Sequence, residues 1–254
     1  MMENTMKTIA PFNMSLPFFY TEHINPTEET IHLNEDTSKH IVQVLRMKEG
    51  EKLQLTDGKG NLLTASIINA HKKNCTARKL SHTFSPANDI HKTIAISLIK
   101  NNSRFEWFLE KSTEIGVTKI IPLLCDRTEK QHYRSDRMKG IIISAMIQSK
   151  QCRMPELTEP VRFTNFITTS LDIEKYIAHC ESDQEKREIP AFKKRSSSII
   201  LIGPEGDFTN EEIVMAKSNG FLPVSLGNTR LRTETAGVVA SVLLNQGISH
   251  SLQE

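Results

Sequence analysis

The feature that most constrains this chain is a change of texture about a third of the way along its 254 residues. Up to Leu80 the apolar residues come in short alternating runs closed by turn residues, whereas from Thr93 onward apolar strands alternate with segments of helical spacing. The first pattern suits a small β module, because alternation at period two gives each strand one buried face. The second suits a mostly parallel sheet with helices on both faces, since parallel neighbours need a helical crossover to connect them. The length accommodates both, as domains usually run ~100–150 residues.

Residues 1–13 (MMENTMKTIAPFN) are polar and aperiodic, which predicts a flexible extension, with Met14 as an alternative start. A first domain is then expected over residues 14–85. Ile41, Val44 and Leu45 fall at helical spacing and predict one helix over Asp36–Met47. Lys52–Thr56 reads as a strand, Asp57-Gly58 as the start of a turn, and Leu62–Ile68 and Cys75–Leu80 as returning strands of a compact β-barrel-like module. Ser85–Asp89 (SPAND) is the expected linker.

An α/β domain is expected over residues 90–254. The apolar run Ile94–Ile99 opens it, and Ser103 with Glu106 matches a capping box at the start of a helix whose inner face carries Phe105, Phe108, Ser112 and Ile115, with Gly116 as its stop. Trp107, flanked by Phe105 and Phe108, is expected in the core. Val117–Leu124 completes a β-α-β unit, and a second helix is expected over Asp136–Lys150. Ser198–Ile202 reads as a strand entering Gly203-Pro204-Glu205-Gly206. Thr209 and Glu212 then repeat the capping box, Gly220 ends that helix, and Pro223–Leu226 gives a short strand. A loop over Gly227–Arg232 leads to an apolar helix through Val238, Val239, Val242 and Leu243.

Several classes are excluded. Hydrophobic residues at 38% and charged residues at 24% are ordinary for a globular chain and argue against disorder. No run approaches the ~18 apolar residues of a membrane helix, and the N-terminus lacks a signal-peptide pattern, so a cytoplasmic protein without membrane partners is expected. Cys75, Cys125, Cys152 and Cys180 are far apart with no C-x-x-C pair, so no metal site is expected. Neither G-x-x-x-x-G-K-[ST] nor a helix-opening G-x-G-x-x-G is present.

The candidate chemistry lies in two glycine-containing loops, Gly203–Phe208 and Leu226–Ala236, each following a strand. Ligands of open α/β sheets bind outside the carboxyl ends of strands, and glycine lets backbone groups approach them closely. Taken alone, Gly203 and Gly206 also fit a plain tight turn. Arg230–Ala236 (RLRTETA) likewise fits helix capping by Thr233 or Thr235 with solvated arginines. The net charge of +2 does not by itself mark a nucleic-acid binder, but Arg127, Lys130, His132, Arg134, Arg137, Lys139, Lys150 and Arg153 cluster against only Glu129 and Asp136. Such a cluster can track phosphates or be a solvated face.

Ile202–Phe208 (IGPEGDF), Leu226-Gly227 and Leu231–Gly237 (LRTETAG) together resemble the bacterial 16S ribosomal RNA uridine-N3 methyltransferase family, within the knotted SPOUT superfamily. Phe105-Glu106-Trp107, Thr113–Val117, Ile121-Pro122-Leu123, Gln148-Ser149 and Arg153 fit its middle segment, and His40, Val44–Met47 and Gly50-Glu51 fit its N-terminal PUA-like domain. The resemblance implies a trefoil-knotted methyltransferase domain beside a PUA-like RNA-binding domain. It implies S-adenosyl-L-methionine as cofactor, bent in the knot, without metal. The cofactor residues it points to are Ile202, Gly203, Pro204, Glu205 and Gly206, then Leu226 and Gly227, then Leu231, Arg232, Thr233, Thr235 and Ala236. It also implies a homodimer acting on 16S ribosomal RNA or the assembled small subunit.

On this reading Arg232 is the candidate for stabilising charge on the uracil, while Glu234 is the candidate for orienting Arg232 or accepting a proton, and Glu205 is a weaker base candidate. Candidate RNA contacts are Arg46, Lys48, Arg127, Arg134, Gln148 and Arg153, and Lys72, Lys73, Arg78 and Lys79 extend the basic track. Ser144 and Ile147 stand where many family members carry acidic residues, so no catalytic role of those acids transfers. A non-catalytic RNA-binding or ribosome-assembly factor on the same fold is the competing function.

Overall fold

The computed structural model describes residues 16–129, 133–169, 173–181, 187–188 and 196–245, and the expected 1–13 extension, Lys130 and His132 lie outside them. The chain forms two compact units. One runs up to Asp57 and takes in Asn61–Phe84, and the other comprises Gly58–Gly60 and the chain from Ser85 on.

The first unit contains β1 (Phe18–Tyr20), β2 (Thr30–His32), α1 (Glu35–Lys39), β3 (Lys52–Thr56), β4 (Asn61–Asn69) and β5 (Thr76–Phe84). Its strands pair in the order β1-β3-β4-β5-β2, antiparallel except for β1 with β3. Leu53, Leu55, Leu63, Ala65, Ile67 and Ala77 alternate along these strands and form the buried face. The described strands form an open path with β1 and β2 at its two ends rather than a closed barrel.

The helix expected over Asp36–Met47 is shorter. Asn34 caps α1 through Thr37 N–H at 2.8 Å, the chain then widens into one π turn over His40–Val44, and Arg46 takes a left-handed φ of 56°. Of the three residues that suggested the helix only Ile41 is buried, and Val44 and Leu45 are 67% and 45% exposed. The π turn rotates the two later side chains off the inner face.

The second unit contains β6 (Lys92–Ser97), α2 (Asn102–Ile115), β7 (Lys119–Leu124), α3 (Ser135–Gln148), β8 (Glu156–Leu157), β9 (Val161–Arg162), α4 (Phe163–Ile167), β10 (Glu174–Ala178), β11 (Arg187–Glu188), β12 (Ser198–Ile202), α5 (Asn210–Ser218), β13 (Leu222–Ser225) and α6 (Thr233–Asn245). The sheet order is β11-β13-β10-β12-β6-β7-β8, with β9 also on β7, and every pair is parallel. Strands covered on both faces need no polar alternation, and β6 and β12 are buried at every position. Ile94, Ile96, Ile200 and Ile202 pack under α2, α3 and α6, while Ala95, Ile199 and Leu201 point to the layer holding Phe163, Phe208 and Ile213.

The cap of α2 differs from expectation. Asn101, two residues before Ser103, caps the helix by accepting Ser103 N–H at 2.9 Å, and Glu106 pairs with Arg137 of α3 (Nη2–Oε2 2.9 Å), whose hydrogen bond, helped by its charge, draws the Glu106 pKa down. A guanidinium fork is a stronger partner for a carboxylate than a backbone N–H. Gly116 ends α2 with a left-handed φ of 92°, and Thr209 and Glu212 form the capping box of α5. Trp107 is 42% exposed rather than in the core, because α2 buries Phe105, Phe108, Leu109 and Ser112 and leaves position 107 outside that stripe. On α6 the inner face is Gly237, Ala240, Ser241 and Leu244, while Val238, Val239 and Leu243 are half-buried and Val242 is 41% exposed.

Candidate cofactor pocket

Strands β10, β12 and β13 lie side by side and end at the same edge, where their loops enclose a pocket of ≈ 710 Å³. This volume lies in the range of small-molecule and cofactor sites. Four stretches line it: Ala178–Cys180 after β10, Ile202–Glu205 with Asp207 after β12, Val224–Arg230 from β13 onward, and Leu231–Thr233 with Ala236 at the start of α6.

The loop after β12 is fixed from several sides. A Cβ on Gly203 would lie 3.1 Å from the backbone nitrogen and ring of Phe208, so a larger residue would push against the Phe208 turn. Arg127, in the segment after β7, donates from Nη1 to the carbonyls of Gly206 at 2.7 Å and Phe208 at 3.3 Å. Glu205 Oε1 accepts Lys100 N–H at 3.1 Å. Asp207, at a left-handed φ of 65°, accepts Cys180 N–H at 2.6 Å and Phe208 N–H at 2.8 Å, which ties the β12 loop to the β10 loop. Behind them Glu212 accepts both Asp126 N–H (3.0 Å) and Thr209 N–H (2.9 Å). A loop held this way is preorganised, so little ordering entropy is lost when a ligand enters.

The β13 loop is more open. Gly227 has a φ of 134°, its N–H and carbonyl both engage the Ser225 hydroxyl, and residues 227–230 are exposed. Leu231 is half-buried between exposed Arg230 and Arg232.

Of the expected cofactor residues, Ile202, Gly203, Pro204, Glu205, Leu226, Gly227, Leu231, Arg232, Thr233 and Ala236 line the pocket, whereas Gly206 and Thr235 do not. Glu234 also stands off the pocket. It is 6% exposed and faces Arg104 of α2 (Oε1–Nε 3.6 Å), and its Oε2 has no hydrogen-bond partner among the described residues. Sequence reasoning missed Ala178–Cys180, and it placed Asp207 within the candidate loop Gly203–Phe208 without giving it a role. The only signal for the former was the short apolar run Tyr176-Ile177-Ala178, too brief to distinguish a strand from a buried turn.

The basic cluster divides in two. Arg127, Arg137 and Arg153 are engaged within the chain, Arg153 by donating to the carbonyls of Ser85 (2.6 Å) and Pro86 (3.0 Å). Arg134, Lys139, Gln148 and Lys150 are exposed, as are Arg46 and Lys48 of the first unit. Among the described residues no three His, Cys, Asp or Glu side chains converge as metal ligands, and no helix is long and apolar enough to cross a membrane.

The geometry thus defines a parallel α/β protein with a cofactor-sized pocket at its strand ends. The chain belongs to the RNA methyltransferase domain family, which matches residues 86–245, and the RNA methyltransferase PUA domain matches residues 33–80. It is 31% identical over 227 residues to the ribosomal RNA small subunit methyltransferase E of Synechocystis sp., covering 86% of this chain and 73% of that one. Among solved structures, a probable rRNA-methyltransferase from Porphyromonas gingivalis superposes with a TM-score of 0.81 at 36% identity, covering 91% and 98% of the two chains. A ribosomal RNA small subunit methyltransferase E from Neisseria gonorrhoeae bound to S-adenosyl methionine gives 0.79 at 28% identity, covering 89% and 95%.

Proposed function

We propose that this protein transfers a methyl group from S-adenosyl-L-methionine to N3 of a uridine in 16S ribosomal RNA of the small subunit. The observation that carries the reading is the pocket itself, where both family-matching loops meet at the ends of adjacent parallel strands. Its chemistry fits the cofactor. Ile202, Val224, Leu226, Leu231 and Ala236 offer an apolar bed for a purine, loop backbone groups ring it, and the carboxylates of Glu205 and Asp207 suit a ligand carrying ammonium and sulfonium charges. No metal is required.

The bound cofactor supplies an electrophilic methyl group. Uracil N3 must lose its proton, and its electron pair then forms the new N–C bond as the S–C bond breaks. Arg232, exposed at the pocket wall, is placed to stabilise negative charge spreading over the uracil. Glu234, buried and off the pocket, braces the first turn of α6 against Arg104 and so fixes the helix start beside Arg232. Glu205, on the wall, is the acceptor candidate. The first unit serves as the PUA-like RNA-binding domain through Arg46 and Lys48, and exposed Arg134 and Gln148 are the RNA candidates of the second unit.

The family's finer architecture belongs to the same reading. The placement of β10 between β12 and β13, with all three loops around one pocket, supports a trefoil knot. Exposed Val242 and half-buried Val238 and Leu243 on α6, with exposed Trp107 on α2, support a homodimer, and a ribosomal substrate accords with a cytoplasmic enzyme. The test is to incubate small subunits from a strain lacking the modification with protein and labelled cofactor and to map the product. Label on a uridine N3 is expected, and binding of subunit and cofactor without transfer would establish an assembly factor instead.

A further inference from the structure

Four charged side chains stand on the pocket wall: Glu205, Asp207, Arg230 and Arg232. Both carboxylates are engaged by backbone N–H groups and neither forms an ion pair with an arginine, so the two guanidiniums are uncompensated among the described residues. The cofactor cannot balance both, because it brings one carboxylate against an ammonium and a sulfonium. At least one guanidinium is therefore left for a second anionic ligand. Leu231 is half-buried between two exposed arginines, as expected where extended backbone turns alternate side chains to opposite sides. Arg230 and Arg232 both line the pocket and both reach solvent. Arg232 immediately precedes α6, whereas Arg230 ends the exposed stretch 227–230.

We infer that Arg230 grips an RNA phosphodiester adjoining the target uridine, leaving Arg232 for the base. This rests on the RNA methyltransferase reading above. A nucleotide whose base is turned into a pocket carries its phosphates at the mouth, where a long cationic side chain meets them with little desolvation. A phosphate is served by a point charge, so lysine should substitute well, unlike at a site that needs a planar fork.

The test uses full-length protein and unmodified small subunits across a salt series, with variants first shown to keep the wild-type melting temperature. Arg230→Ala should raise the half-saturating subunit concentration by about tenfold near 0.1 M salt and flatten the slope of log affinity against log salt by roughly 0.7–0.9. The single-turnover rate at saturation should fall less than threefold, cofactor affinity by calorimetry should stay within twofold, and Arg230→Lys should recover most of the loss. An unaltered salt slope overturns the inference, and so does a loss of cofactor affinity, which would assign Arg230 to the cofactor carboxylate. Subunit retention on filters is measured in parallel. If wild-type protein transfers no methyl group, the enzyme reading falls, while the filter slopes of wild type and Arg230→Ala still decide whether Arg230 holds phosphate.

Discussion

Arg127 Nη1 donates at 2.7 Å to the carbonyl oxygen of Gly206, on a loop 79 residues further along the chain. Arg127 thereby braces the β12 loop of the pocket, and a Cβ on Gly206 would lie 3.3 Å from Arg127 Cδ, a tight contact that the arginine would have to relieve by shifting slightly. Arg127→Ala should weaken S-adenosylmethionine binding by on the order of 1–2 kcal/mol, about what a hydrogen bond with one charged partner contributes. Calorimetry measures that loss. If cofactor affinity held and only the salt dependence of RNA binding changed, Arg127 would return to the RNA surface.

Gly237 makes a second close approach. A Cβ at this position on α6 would come within 2.6 Å of the Phe108 ring and 2.8 Å of Ile96 Cδ1, both buried. Alanine is the better helix former, so propensity alone predicts stabilisation. Overpacking should win, and Gly237→Ala should cost about 1–3 kcal/mol. That corresponds to a fall of roughly 2–4 °C in Tm per kcal/mol for a chain of this size. Adding Phe108→Leu should return part of the loss, giving a favourable coupling in the double-mutant cycle. A Gly237→Ala protein as stable as wild type would remove the steric account.

These contacts show where sequence reading succeeds. Features set by local chemistry were legible: the strand Ser198–Ile202, the left-handed Gly116 and the Thr209–Glu212 capping box all stand as expected. Features decided by a distant partner were not. Ser103 and Glu106 had the right spacing for a cap, but Arg137, 31 residues away, takes Glu106. The β10 wall of the pocket was missed because Glu174–Ala178 is five residues with no turn signature, and it becomes a strand only through pairing with β12 and β13. The family motif located ten wall residues of the pocket yet could not say that Glu234, inside the same motif, turns toward Arg104.

Glu212 gives a test of the scaffold alone. Its two oxygens each accept a backbone N–H, and it is 3% exposed. Glu212→Ala leaves both partly buried donors without their acceptor and should cost about 1–3 kcal/mol, since water can reach them in part. Glu212→Gln keeps one acceptor oxygen and should lose roughly half as much. Chemical denaturation with an unchanged m value separates these outcomes from partial unfolding. Equal losses in the two variants would point to the charge, acting at the N-terminus of α5, as the main contribution.

Arg232 carries the sharpest prediction for catalysis. If its guanidinium stabilises charge that develops on the uracil only as N3 loses its proton and attacks, Arg232→Ala should lower the methylation rate far more than it weakens cofactor binding. The expected loss is on the order of 2–4 kcal/mol in the transition state, as for other preorganised electrostatic donors. Arg232→Lys should recover little, because an ammonium offers a point charge in place of a planar fork. This contrasts with Arg230, where lysine should suffice. The rival account has Arg232 holding a phosphate, in which case RNA affinity and the salt slope would fall while the rate at saturating RNA stayed near normal. Single-turnover assays at saturating subunit and cofactor separate the two, and an unchanged rate would leave Arg232 as a positioning residue at the start of α6.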